Sequence, residues 1–165
     1  MERRALLDIA EIISDGDGAV LEELARCVGD PGAYYAAHCA RYEERGVYSA
    51  GDAEQICWLG MVDILESRGH VCERDWKDEK PDFLHFFSGL AGTKRLGLEI
   101  RGEWLAEDGD IQSWCGVLDG KWAPLHCCAA IGIDSDSYVL FPCRLDTLER
   151  LTRLAEQTAY CIEKV

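Results

Sequence analysis

Two aspartates one residue apart, Asp134 and Asp136, are the residues best spaced to do chemistry. They sit in AAIGIDSDSYVLFP, positions 129–142, directly after an apolar run. A D-x-D in that place can supply one nucleophilic carboxylate and one general acid with Mg²⁺ between them, the equipment of a metal-dependent phosphohydrolase. The same residues have a second reading. Asp134-Ser135-Asp136-Ser137 is made of side chains that bond nearby backbone amides, which is how a tight hairpin turn is held.

A second group is the acidic tract from Glu99 to Asp119. It holds Glu99, Glu103, Glu107, Asp108, Asp110 and Asp119 against the single base Arg101, with Trp104 and Trp114 among them. Acids around an aromatic ring suit the docking of a basic protein surface, the ring giving buried area and the carboxylates steering. Glu103, Trp104, Glu107, Asp108 and Asp110 form the expected patch. The competing reading is a solvated loop and helix face with Trp114 in the core. A calcium loop would need D-x-D-x-D-G followed by a distant Glu, and none is present.

His126-Cys127-Cys128 and His38-Cys39 put soft ligands side by side, whereas zinc loops space theirs by two or more residues. The sequence contains no G-x-S-x-G, Walker loop, G-x-G-x-x-G or H-E-x-x-H. The expectation is a protein that is not an enzyme and has no cofactor or resident metal.

Composition narrows the partner class. Seventeen Lys and Arg against 31 Asp and Glu leave a formal charge of -14, which repels phosphate backbones and attracts basic surfaces. The nine cysteines are odd in number, form no C-x-x-C, and sit mostly in apolar patterns, as reduced cytosolic thiols do. No apolar run reaches about 18 residues and MERRALLDIAEIISD lacks a signal-peptide core, so a cytoplasmic protein is expected.

The elements that must position these residues follow from periodicity. Leu6, Ile9, Ala10 and Ile13 predict a helix over 2–14, and Leu21, Leu24 and Val28 a second ending near Gly29. The alanine-rich segment 32–45 reads as a third. The run 53–67 is apolar on nearly every side and reads as the central helix, with Asp52 as its cap. Strands are expected at HVCERDW (70–76) and KRLGLEIR (94–101). A helix with Phe83, Phe86, Phe87 and Leu90 inward lies between them, and another follows a cap at Asp110. The stretch 127–143 reads as a buried hairpin that Pro142 either ends or leaves on an edge. Asp146 with Glu149 predicts a capping box for a last helix reaching Ala159, with Cys161 near its final turn. The order gives one α+β domain over 1–165. Its expected sheet has three or four largely antiparallel strands, packed against about six helices.

Two resemblances add to this. The D-x-D resembles the opening of haloacid dehalogenase phosphatases, although those carry the motif near the N-terminus with a lysine and further carboxylates downstream. The stretches WCGVLDGKW (114–122) and AAIGIDSDSYVLFP, with the less distinctive ERDWKDEKPDFLHFF (73–87), resemble a bacterial family of unknown function. Its small acidic members resemble immunity proteins that neutralise toxins by binding. What this implies is an inhibitor of a basic bacterial toxin, with a phosphohydrolase on Asp134 and Asp136, or a non-enzymatic adaptor or regulator, as the alternatives.

Overall fold

The computed structural model describes residues 3–165. Helix α1 (Arg3–Ser14) buries Leu6, Ile9, Ala10 and Ile13, and stops where Asp15 and Gly16 turn to positive φ. Asp17 then caps α2 (Gly18–Gly29), accepting hydrogen bonds from the N–H groups of Ala19 and Val20 at 2.9 and 3.4 Å.

The segment expected as a third helix is two, α3 (Pro31–Ala37) and α4 (Cys39–Glu44). His38 breaks it. Its Nδ1 donates to the Tyr34 carbonyl at 2.9 Å, the acceptor that its own backbone N–H would use in a continuous helix, and that N–H turns to Tyr35 instead.

Helix α5 (Ala53–Ser67) is capped by Asp52 and buries Ile56 to Val62, Ile64 and Leu65. Gly60 is required by the packing. A Cβ there would lie 2.9 Å from both Cys27 Sγ and Tyr42 Oη, so α2 and α4 approach α5 as closely as only glycine permits.

The second half supplies the sheet. In order come β1 (Cys72–Asp75), α6 (Lys80–Gly89), α7 (Ala91–Arg95), a 3-10 turn (Gly102–Trp104), α8 (Ile111–Trp122), β2 (His126–Ile131), β3 (Ser137–Arg144), α9 (Leu145–Ala155) and β4 (Ile162–Lys164). All pairings are antiparallel and the strand order is β1-β3-β2-β4. The fold is α+β, as expected. It has four strands and, among the described residues, nine α-helices.

The expected hairpin is β2–β3, with the D-S-D-S sequence at its turn and Asp134 at φ +54°. Pro142 lies inside β3 opposite Cys128, beyond the point where β1 ends at the Cys72–Leu140 pair. Its missing N–H therefore faces no β1 partner.

Four readings are corrected. Residues 96–100 alternate half-buried and exposed as expected, yet they join no ladder; Leu96 and Leu98 donate to Gly92 and Thr93, and Trp122 Nε1 donates to the Glu99 carbonyl. Alternation reports contact with a core on one side, which an extended loop also makes. The last helix ends at Ala155, the Thr158 hydroxyl bonds that residue's carbonyl, and β4 follows with Cys161 exposed beside it. Asp146 makes no capping box, because α9 starts one residue before it, with Arg144 at the N-cap, and Asp146 lies inside the first turn with its carboxylate on Arg144 at 2.9 and 3.0 Å. Phe86 points outward under Arg74.

Alternate residues of the strands serve two cores. Cys127, Ala129, Ile131, Val139, Phe141 and Cys143 pack with α1, α2, α5 and α9. Cys72, Cys128 and Leu140 face the other way, onto Phe83 and Phe87 of α6 and Trp114, Cys115, Leu118 and Trp122 of α8. No described helix is long and apolar enough to cross a membrane.

Candidate functional site

The second face of the sheet is covered along only part of its length. Helices α6 and α8 seal it over Leu140 and Cys128, but towards the β2–β3 turn the covering stops, and Ala130, Tyr138 and Val165 are left half-buried. A cavity of about 620 Å³ opens there. Its floor is these three residues, and Gln112 from the first turn of α8 forms a wall. Trp76 stands at its edge, 51% exposed. Since Asp75–Ser137 is the last pair between β1 and β3, Trp76 leaves the sheet beside Asp136.

The rim is acidic. Asp134, Asp136 and Glu163 line the cavity, are exposed, and have no ion-pair partner among the described residues. Lys164 is the cation of the lining, and it is spent on Asp119 at 3.0 Å. Asp119 is itself buried and accepts the Cys128 N–H at 2.6 Å, so this member of the acidic tract anchors α8 to β2. Asp134 also leaves its mark on Tyr160, whose hydroxyl is pushed up to about 12, chiefly by burial and then by the charges of Asp52 and Asp134.

The patch Glu103, Trp104, Glu107, Asp108 and Asp110 lies on the 3-10 turn and the loop into α8, and much of its charge is compensated. Arg101 reaches Glu99 at 2.6 Å and Glu103 at 3.7 Å. Lys80 pairs with Glu107 at 2.7 Å and also donates to the Leu105 carbonyl. Asp110 is the N-cap of α8 in a reciprocal box with Ser113, whose backbone N–H bond is the main cause holding that carboxyl below its usual range. Asp108 alone of these acids has neither an ion pair nor a side-chain hydrogen bond among the described residues.

Trp104 is half-buried with Lys121 and Arg101 over its ring. Trp114 is a core residue. Its indole N–H donates to the Ala106 carbonyl at 2.9 Å, and a Cβ at Gly109 would collide with that nitrogen, so the loop 106–109 is wrapped on the ring. The two acidic groups meet at α8. Asp110 caps the same first turn that gives Gln112 to the cavity wall.

A third charged cluster lies elsewhere. Arg45 bridges Asp63 and Glu73, each at 2.7 Å, while Glu66 accepts the Glu73 N–H at 2.8 Å. Burial pushes the Asp63 and Glu66 carboxyls above the usual range. These bonds tie α4 to α5 and occupy the outer edge of β1, which accounts for the cluster structurally.

Sequence reasoning singled out Asp134 and Asp136 but missed Trp76 and Glu163, which line the same cavity. Trp76 read as the end of a strand, and Glu163 lay past the expected last helix. The signal available for Trp76 was its place between Asp75 and Lys77-Asp78, where a ring has no apolar neighbours in sequence to share a core with.

A family described only as a domain of unknown function (DUF6630) matches residues 5–165. The chain belongs to that family. No functionally curated protein and no solved structure matches it.

Proposed function

We propose that this DUF6630 protein acts by binding a basic protein, and that the partner docks on the uncovered end of the sheet. The observation that carries this is the combination at one place of an incompletely covered sheet face, a half-exposed tryptophan and three uncompensated carboxylates. An apolar floor with an aromatic anchor supplies area removed from water, and the acids supply steering and choice of partner. The overall charge of -14 acts in the same direction at longer range.

The loop 103–108 adjoins this face through α8 and contributes Asp108 as an outlying charge. The likeness to immunity proteins makes a bacterial toxin the first partner to try, with the complex forming in the cytoplasm. Asp134 and Asp136 serve in this reading as rim carboxylates of the docking face.

The test is capture of the candidate toxin by the wild-type chain and by an Asp134→Lys, Asp136→Lys, Glu163→Lys variant, at low and at high salt. Binding that weakens steeply with salt and is lost in the variant is expected. Equal capture by both chains contradicts the proposal. Mg²⁺-dependent hydrolysis of a phosphoester, abolished in Asp134→Asn, would replace it with the phosphohydrolase.

A further inference from the structure

Three aromatic rings at the surface already carry cations of the chain itself. Arg74 lies over Phe86 at 4.1 Å, Lys77 over Trp76 at 4.8 Å, and Lys121 and Arg101 over Trp104 at 5.0 and 5.6 Å. What else holds each cation differs. Arg74 is locked by Asp78 through two hydrogen bonds of 2.8 and 2.6 Å, and Arg101 is bonded to Glu99. Neither Lys77 nor Lys121 has a carboxylate partner among the described residues, and of the two rings they cover only Trp76 lines the cavity.

That ring is the one at the cavity's edge, with Asp134, Asp136 and Glu163 around the same space. A cation entering the cavity would gain the ring face and the carboxylates together. An arginine fits better than a lysine, because a guanidinium is planar, stacks on indole, is more weakly hydrated and bonds carboxylates through two parallel N–H groups. Building on the docking face proposed above, we infer that the cavity seats an arginine side chain of the basic partner against Trp76, and that Lys77 is a placeholder which the arginine displaces.

The probes are octaarginine and octalysine peptides, titrated calorimetrically into the full chain at low salt. Octaarginine binds more tightly than octalysine to the wild type. Trp76→Leu weakens octaarginine about three- to thirtyfold and erases the preference, as loss of one cation–ring contact does. Lys77→Ala tightens octaarginine about two- to fivefold. Lys94→Ala, which removes an equal charge from α7, serves as the control and produces a smaller change.

If Trp76→Leu and Lys77→Ala leave both affinities unchanged while Asp134→Asn, Asp136→Asn, Glu163→Gln loses binding, the arginine seat is wrong and the docking face stands. If neither peptide binds the wild type, or the triple variant binds as wild type does, the docking face falls and the arginine seat with it.

Discussion

The two faces of the sheet are buried by different means. On one, four helices bring mostly aliphatic side chains, with Trp58 of α5 the one tryptophan among them, α5 is apolar nearly all round, and the cover runs the length of the strands, from Cys143 to Ile131. On the other, two principal helices rely on a few large rings, Phe83, Phe87, Trp114 and Trp122, with Phe83 stacked on Phe87 at 5.3 Å and tilted against Trp114 at 5.2 Å. Where the rings stop, the face opens. A core built from few large side chains seals a small area well and ends abruptly, and three acids without ion pairs among the described residues, Asp134, Asp136 and Glu163, line the exposed end.

If that contrast is right, the largest effect comes from the ringed side. Trp114→Ala is expected to cost about 3–5 kcal/mol in urea unfolding and to free the loop 106–109, read as faster amide exchange there. A cost below about 1 kcal/mol would mean that the second core is not held by its rings.

On the helix-rich face the sensitive quantity is fit. Gly60→Val should destabilise by about 1–3 kcal/mol, since Cys27 Sγ and Tyr42 Oη stand where its side chain must go. A neutral result would show that α2 and α4 move away from α5 easily. At the open end Trp76→Leu should change stability by no more than about 0.5 kcal/mol, the figure for surface positions. A large loss would make Trp76 a core residue and remove it from the docking face.

Smaller effects separate charges that build the fold from charges left for a partner. Asp110→Ala should lower the unfolding midpoint and Asp108→Ala should not, because only Asp110 caps a helix. Asp17 is held below the usual carboxylate range by its hydrogen bond to His70 and then by the Ala19 N–H. A depressed folded-state value stabilises above the unfolded carboxyl's pKa, about 3.9, and the stabilisation is lost as pH falls through the folded value. Stability of the wild type should therefore drop more steeply than that of Asp17→Asn between about pH 4 and pH 2, and parallel curves would dismiss the linkage.

Local rules carried much of the fold in the sequence. Caps at Asp52 and Asp110, the stripe of α1, the all-round burial of α5 and the D-S-D-S turn are set by neighbours three or four residues away, and all were legible. The break at His38 was not, because it depends on one ring nitrogen taking the Tyr34 carbonyl. Nor was β4, three residues whose pairing with β2 is fixed by contacts distant in sequence. Residues 96–100 show the converse error, a correct period without a strand to pair with. Within the site, Asp134 and Asp136 were visible as a motif. Their company, Trp76 and Glu163, required the sheet order, and the neutralisation of Glu107 required Lys80, far away in the chain.

The most direct test of the central claim is an amide and indole NMR titration of the isotopically labelled chain with octaarginine. The account predicts shifts centred on the Trp76 indole, the Gln112 side chain, residues 134–138 and residues 163–165. Shifts centred on Glu103 to Asp108, with Trp76 unmoved, would contradict it and return the docking site to the acidic loop.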